Sequence, residues 1–348
     1  MYLLALLLPL TASASLTPSD LPVFTLDFDE HPSTRYTALF THYKAQLLQM
    51  ETMFLHSVAP QYRDEFKEKA PLFKDHNPEA YYSMEALAQI IGMETHETLL
   101  VNSIVDFSSW CTSIVARMEN GTIIHARNLD FDYPSMMVHL VYKALIKKDG
   151  RIVAEAAAIA GYIGFYTGLR YDTFTVSYNV RMERLNQSDI LKNIDYELKS
   201  GVLPAQQLIQ RALLESTSYD EAVSLIVYHP VNTPCYIILG GKARNEGIVI
   251  TRDRDRLNQT MSLNFKRWFV AQTNKDWWRA PDPRYQATEE RLQNLTQAGV
   301  NPESLVSEVL RANGVLQSIT IFQAAMSAGM GTFDVYLIND KQSGDVIA

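Results

Sequence analysis

The chain has 348 residues, 47% hydrophobic and 20% charged, enough apolar material for one large domain or two small ones. Its net charge of -8 argues against a nucleic-acid partner and suits solubility in an acidic compartment, where part of the carboxylate excess is protonated.

Residues 1–14 read as a secretory signal. The apolar run Leu3 to Leu10 is too short to span a bilayer, and Ala12-Ser13-Ala14 offers small residues for cleavage after Ala14. An apolar N-terminal strand is the alternative. No later segment is long and apolar enough to span a membrane. Four Asn-x-Ser/Thr sequons, at Asn120, Asn186, Asn258 and Asn294, agree with an exported glycoprotein.

From Ser15 to Trp110 an extended, proline-containing stretch, Leu21 to Asp27, gives way to helical periodicity. Tyr43, Leu47, Leu48, Met50 and Met53-Phe54-Leu55 make one apolar face, and Met84, Leu87, Ile90 and Ile91 another. Such faces pack against the rest of the protein, or one of them dips into a lipid interface.

Residues 110–133 hold the chemistry. Thr112, Ile114 and Ala116 alternate with Ser113, Val115 and Arg117, and Asn120-Gly121 suits a tight turn. The arm Thr122 to Ala126 is again β-rich. The hairpin so predicted sets Cys111 near Arg127 and Asp130. A cation lowers a thiol pKa, and a carboxylate orients the group that takes the proton, so this trio fits nucleophilic attack on a carbonyl. The bland alternative is a buried cysteine beside an ordinary turn. His125 falls on the Arg127 face and is read as a packed strand residue. The second cysteine, Cys235, lies in the apolar strand Cys235 to Leu239, as a buried thiol or, alternatively, in a disulfide with Cys111.

Beyond the hairpin, strands are predicted at 138–146 and 151–159 around Lys147-Lys148-Asp149-Gly150, and at 174–177. An aromatic loop punctuated by Gly161, Gly164 and Gly168 precedes the last of these. Helical periodicity runs from about 188 to 227. Strands return at 235–239, 247–251 and 268–273, followed by helices at 282–295 and 302–312 and closing strands at 318–322 and 333–338. The pattern is α+β, with helices outside packed sheets.

Cys111-Thr112-Ser113-Ile114-Val115-Ala116 with Arg127-Asn128-Leu129-Asp130 closely resembles the hairpin of the acid ceramidase and N-acylethanolamine-hydrolysing acid amidase family of N-terminal-nucleophile hydrolases. The resemblance implies an αββα sandwich and self-cleavage between Trp110 and Cys111. It thereby implies a small chain, 15–110, and a large chain, 111–348, held together non-covalently. In it the new α-amine of Cys111 serves as base, with no metal or other cofactor. Gln272-Thr273-Asn274-Lys275-Asp276 resembles the family block whose asparagine donates to the oxyanion, a role that falls on Asn274. Asp282-Pro283-Arg284 resembles the family Asp-Asp-Arg, which makes Arg284 a second cation. By the same resemblance Arg127 holds the thiol and Asp130 together, and Asp130 fixes the amine and assists self-cleavage.

Two positions depart from the family: Val180 stands where a glutamate is common, and Ala126 replaces a glycine. With no cysteine in 15–110 to tie the chains, the resemblance favours an amidase acting on N-acylethanolamine-type lipid amides, lysosomal or secreted, with peripheral membrane contact as a possible accompaniment. The alternatives are ceramide hydrolysis and an inactive lipid-binding glycoprotein. Bile-salt and penicillin-type acylases share Arg-Asn-x-Asp but lack the long preceding segment.

Overall fold

The computed structural model describes residues 16–104, 109–181, 187–199, 201–279 and 282–338. The expected signal segment and the Asn186 sequon lie outside these residues; Asn120, Asn258 and Asn294 are exposed.

Thirteen strands follow in chain order among the described residues. The first seven are β1 (Val23–Asp27), β2 (Ser109–Arg117), β3 (Ile123–Phe131), β4 (Val141–Lys148), β5 (Arg151–Ile159), β6 (Thr167–Arg170) and β7 (Phe174–Val180). Then come β8 (Cys235–Gly240), β9 (Gly247–Arg252), β10 (Leu257–Ser262), β11 (Phe269–Gln272), β12 (Thr320–Ser327) and β13 (Thr332–Leu337). An eight-stranded sheet has the order β1-β4-β5-β6-β7-β8-β9-β10, and a five-stranded sheet the order β11-β2-β3-β12-β13. Neighbours are antiparallel except β1 and β4, which run parallel with Val23 opposite Lys143.

The sheets meet face to face where β2 and β3 pack on β7 and β8. Helices Ala205–Glu215 and Tyr219–Tyr228 cover the outer face of the large sheet, while helix Pro283–Gly299 and the π-turn Leu305–Leu310 cover the small one. The expected αββα sandwich is therefore present. Its small sheet shows why. Val115 and Ile123 point into the space between the sheets with Ile238 and Val249, whereas Ile114, Ala116, Ile124 and Ala126 point outward onto Leu292, Leu305 and Val309. A strand buried on both faces needs apolar residues at both parities, and β2 and β3 supply them.

Helices Lys44–Ser57, Pro60–Lys69, Pro78–Ile91 and Thr95–Ile104 pack on one another. The two apolar faces read from the sequence are spent on packing: Tyr43, Leu47, Met50, Phe54, Met84, Leu87 and Ile91 are buried, and Leu48 alone of the predicted positions is exposed. Among the described residues no helix is long and apolar enough to cross a membrane.

Several predicted elements are corrected. Residues 138–140 form a 3-10 turn before β4, and 302–312 holds a single helical turn and then the π-turn. The hairpin turn keeps only Gly121 at positive φ, 97°, and closes through Gly121 N–H to Met118 O at 2.9 Å. With Met118 N–H also donating to Thr122 O, the turn spans three residues and ends on a left-handed glycine, in place of the Asn120-Gly121 pair expected to carry positive φ. No disulfide joins Cys111 to Cys235; both are buried thiols.

Candidate active site

The hairpin register sets Trp110 opposite Asp130, Cys111 opposite Leu129 and Ser113 opposite Arg127. Strand parity then sorts the side chains. Cys111 and Arg127 face the large sheet, and Trp110 and Asp130 face the helix Pro283–Gly299, so the Trp110–Cys111 peptide has the thiol on one side and the carboxylate on the other.

On the inner side Arg127 Nη2 donates to Cys111 Sγ at 2.7 Å, and its Nη1 donates to Tyr166 O at 2.7 Å and to Thr167 Oγ1 at 2.9 Å. The arginine is fully buried, so the loop carbonyl that anchors it also fixes where the cation sits. The thiol donates to Tyr178 O at 3.6 Å. Burial pushes the Cys111 thiol up to about 11, outweighing Arg127 and Arg284, which pull it down. The lowered thiol pKa expected from the neighbouring cation is thus overturned in the uncleaved chain, because a fully buried thiolate loses more hydration than one guanidinium returns.

On the strand edge β11 stops at Gln272, opposite Ser113, two residues short of Cys111. The free Cys111 N–H is taken by a side chain instead, donating to Asn274 Oδ1 at 2.8 Å. Arg284 Nη2 donates to the same oxygen at 2.6 Å. Two donors on one atom orient the amide, so Nδ2 faces Val180 O at 2.9 Å. In these contacts Asn274 Oδ1 accepts twice and holds the Cys111 nitrogen, while Nδ2 donates once. An amide nitrogen carries two hydrogens, of which Val180 O uses one.

On the outer side Arg284 Nη1 donates to Asp130 Oδ2 at 2.7 Å, and Thr320 Oγ1 donates to Asp130 Oδ1 at 2.6 Å. Arg127 acts on both groups as a charge, pulling the Cys111 thiol and the Asp130 carboxyl down, but its hydrogen bond goes to the sulfur, while Arg284 bridges Asp130 to Asn274. A cavity of about 520 Å³ opens here, lined by Trp110, Asp130, Asn274, Arg284 and Gln317 among others.

Of the remaining candidates, His125 does not reach the sulfur. Its Nδ1 lies 3.1 Å from Thr175 Oγ1 and its Nε2 2.8 Å from Ser177 Oγ, and burial and then Arg127 push it down to about 3. Ser177 donates onward to Ser113 and Ser113 to Asn179, whose Nδ2 is bound by Gln272 O. This buried chain ties β3 through β7 to the end of β11. Val180 is buried beside Cys235 in the β7–β8 register, and Arg181 next to it is held by Asp276 and Asp253. Ala126 points away from the thiol, into the outer core. Sequence reading missed Thr320, Thr167 and the carbonyls of Tyr166 and Tyr178, since backbone acceptors and a lone threonine leave no motif.

A family model for linear amide C–N hydrolases, the choloylglycine hydrolase family, matches residues 111–299, with its first matched residue at Cys111. The chain belongs to this family. Relatives similar to it include the N-acylethanolamine-hydrolyzing acid amidase of Mus musculus, 30% identical over 93% of this chain and 92% of the relative. The acid ceramidase of Homo sapiens is 30% identical over 73% of this chain and 68% of the relative. Among solved structures, a Caenorhabditis elegans N-acylethanolamine-hydrolyzing acid amidase ortholog matches with a TM-score of 0.60 at 30% identity, covering 66% of this chain and all of its own. Membership makes the chain an amide hydrolase of the N-terminal-nucleophile type.

Proposed function

We propose that the chain is an acid amidase that cleaves itself between Trp110 and Cys111 and then hydrolyses N-acylethanolamine-type lipid amides to a fatty acid and an amine. The observation that carries this reading is the pair of contacts on one residue, Arg127 on the Cys111 sulfur at 2.7 Å and Asn274 on the Cys111 nitrogen at 2.8 Å. Both atoms that the reaction needs are gripped before the bond is broken.

In self-cleavage Cys111 Sγ adds to the Trp110 carbonyl and the C–N bond breaks, with the thiol proton passing to the departing nitrogen. Water then opens the thioester and leaves Trp110 as a carboxylate and Cys111 as an amino terminus. In turnover the α-amine, still held at Asn274 Oδ1, takes the thiol proton as sulfur attacks the substrate amide. It returns that proton to the leaving amine, and water releases the fatty acid. Asp130, fixed by Arg284, sits on the other side of the same peptide and stabilises the ammonium that forms. The second hydrogen of Asn274 Nδ2 serves the tetrahedral oxyanion.

The two mature chains, 15–110 and 111–348, stay together without a covalent link. An N-terminal signal, glycans on the exposed sequons and an acidic, lysosomal setting complete the reading. Exposed Leu48 and Leu72 give the small chain an apolar foothold on a lipid surface. Ceramide hydrolysis is the second reading, because an acid ceramidase is as similar over its aligned span.

The test is intact mass of the purified precursor before and after incubation at about pH 4.5, for wild type and Cys111→Ala, followed by release of amine from an N-acylethanolamine and from a ceramide. Two fragments meeting at 110/111 in wild type only, with turnover of the first substrate, are expected. A wild-type chain that stays whole sinks the self-cleavage, and preference for ceramide sinks the substrate assignment.

A further inference from the structure

Asp130 is fully buried and its two oxygens have different donors: Arg284 on Oδ2 and the Thr320 hydroxyl on Oδ1. Arg284 comes from the family block, whereas Thr320 comes from β12 and belongs to no motif. Two features show that its placement is built. From Phe322 opposite Leu129 onward, β12 and β3 are in regular register, which would bring Ile321 opposite Asp130. A bulge at that point inserts one residue, and Thr320 is opposite Asp130 instead. Bulges re-aim side chains in this way beside active sites. The hydroxyl is also given a direction. Gln317 N–H donates to Thr320 Oγ1 at 3.1 Å, and Thr320 N–H donates back to Gln317 O at 3.0 Å. With its oxygen already accepting from Gln317, Thr320 has one hydrogen, and that hydrogen goes to Asp130.

We propose that Thr320 is a positioning residue for the reaction, holding the Asp130 carboxylate as an aimed anion beside the Trp110–Cys111 peptide. The inference rests on the self-cleavage reading for its effect on rate, and on geometry alone for its effect on Asp130. Arg284 from the covering helix faces Asp130, Lys275 and Asp282 line the same cavity, and Arg127 from its own strand and Cys111 from β2 act on it as charges from the other face of the sheet. Burial raises the Asp130 carboxyl, and Arg284, Thr320 and Arg127 oppose that rise. A charge-assisted hydrogen bond of this kind is the strong sort; valine in place of threonine keeps the shape but drops both the donor to Asp130 and the acceptor for Gln317 N–H, and only the first of these losses varies with the ionisation of Asp130.

Two measurements test this. The first compares self-cleavage rates across pH for wild type, Thr320→Val and Thr320→Ser, by intact mass. Loss of the donor is expected to slow cleavage about tenfold and move the acid limb of the profile up by about one pH unit, with serine restoring both. The second uses the uncleavable Cys111→Ala precursor with and without Thr320→Val, and follows melting temperature against pH. The valine deficit should be largest where Asp130 is ionised and shrink in acid. If wild type cleaves and the valine variant matches it in rate and acid limb, or if serine is as slow as valine, the inference is overturned. If wild type never cleaves, the functional reading fails, and the melting comparison still decides Thr320: a deficit that does not vary with pH overturns it, and one that shrinks in acid upholds it.

Discussion

Arg284 joins the two sides of the site: one nitrogen holds Asp130 and another holds Asn274, which in turn holds the Cys111 nitrogen. Removing it strips two charge-assisted bonds at once and leaves a buried carboxylate without its cation. Arg284→Met is expected to slow self-cleavage by about 10²-fold or more, read as the half-time for loss of precursor mass. His125 acts on stability instead. It is neutral in the fold because burial pushes it down to about 3, whereas the unfolded chain takes a proton below about pH 6.5. A depressed histidine therefore contributes its stability in full above that pH and loses it as the pH falls. In a Cys111→Ala background, His125→Gln should narrow the stability gap between neutral solution and about pH 4.5 by on the order of 2 kcal/mol, measured by urea unfolding at both pH values.

At the scale of elements, the loop between β5 and β6 supplies the carbonyl that anchors Arg127. It turns through Gly164 at φ 99°, where a Cβ would come within 2.6 Å of the Gln206 backbone. The clash is with main chain and cannot be relieved by a rotamer change. Gly164→Ala should cost about 1–3 kcal/mol and lower the maturation rate along with stability, read by denaturant midpoint and mass. The same elements show what the sequence made legible. The hairpin was readable because β2 and β3 are long, rich in strand-forming residues and flank an Asn-Gly pair; its register alone puts Cys111, Arg127 and Asp130 at one end. Asn274 and Arg284 could be placed only by family likeness, since each comes to Cys111 from the far end of the chain. Strand β6 has four residues, one of them Gly168, and β10 is a largely exposed edge strand, so neither shows an apolar period. Thr320 owes its place to an irregular register, and a bulge has no signature in composition or spacing.

Taken whole, the molecule is cut, on the proposed reading, in the middle of a shared core. β1 pairs in parallel with β4, Phe54 packs edge-on against Phe131 with ring centroids 6.4 Å apart, and Lys147 binds Asp27 at 2.7 Å. In each pair one partner precedes Cys111 and the other follows it. The two fragments should therefore elute as one species from a sizing column at acidic pH and separate only in denaturant. After removal of the denaturant, the uncleavable precursor should regain structure at a rate independent of protein concentration, and the matured pair at a rate that rises with it, both followed by tryptophan fluorescence. The parallel placement of β1 is what makes the difference matter. While the chain is continuous, the strand is tethered to its slot at a high effective concentration; once Trp110 and Cys111 part, the same strand must find β4 by diffusion through solution. Maturation then works as a ratchet: it spends the tether that assembled the sheet, and a mature molecule that unfolds has lost its quick route back.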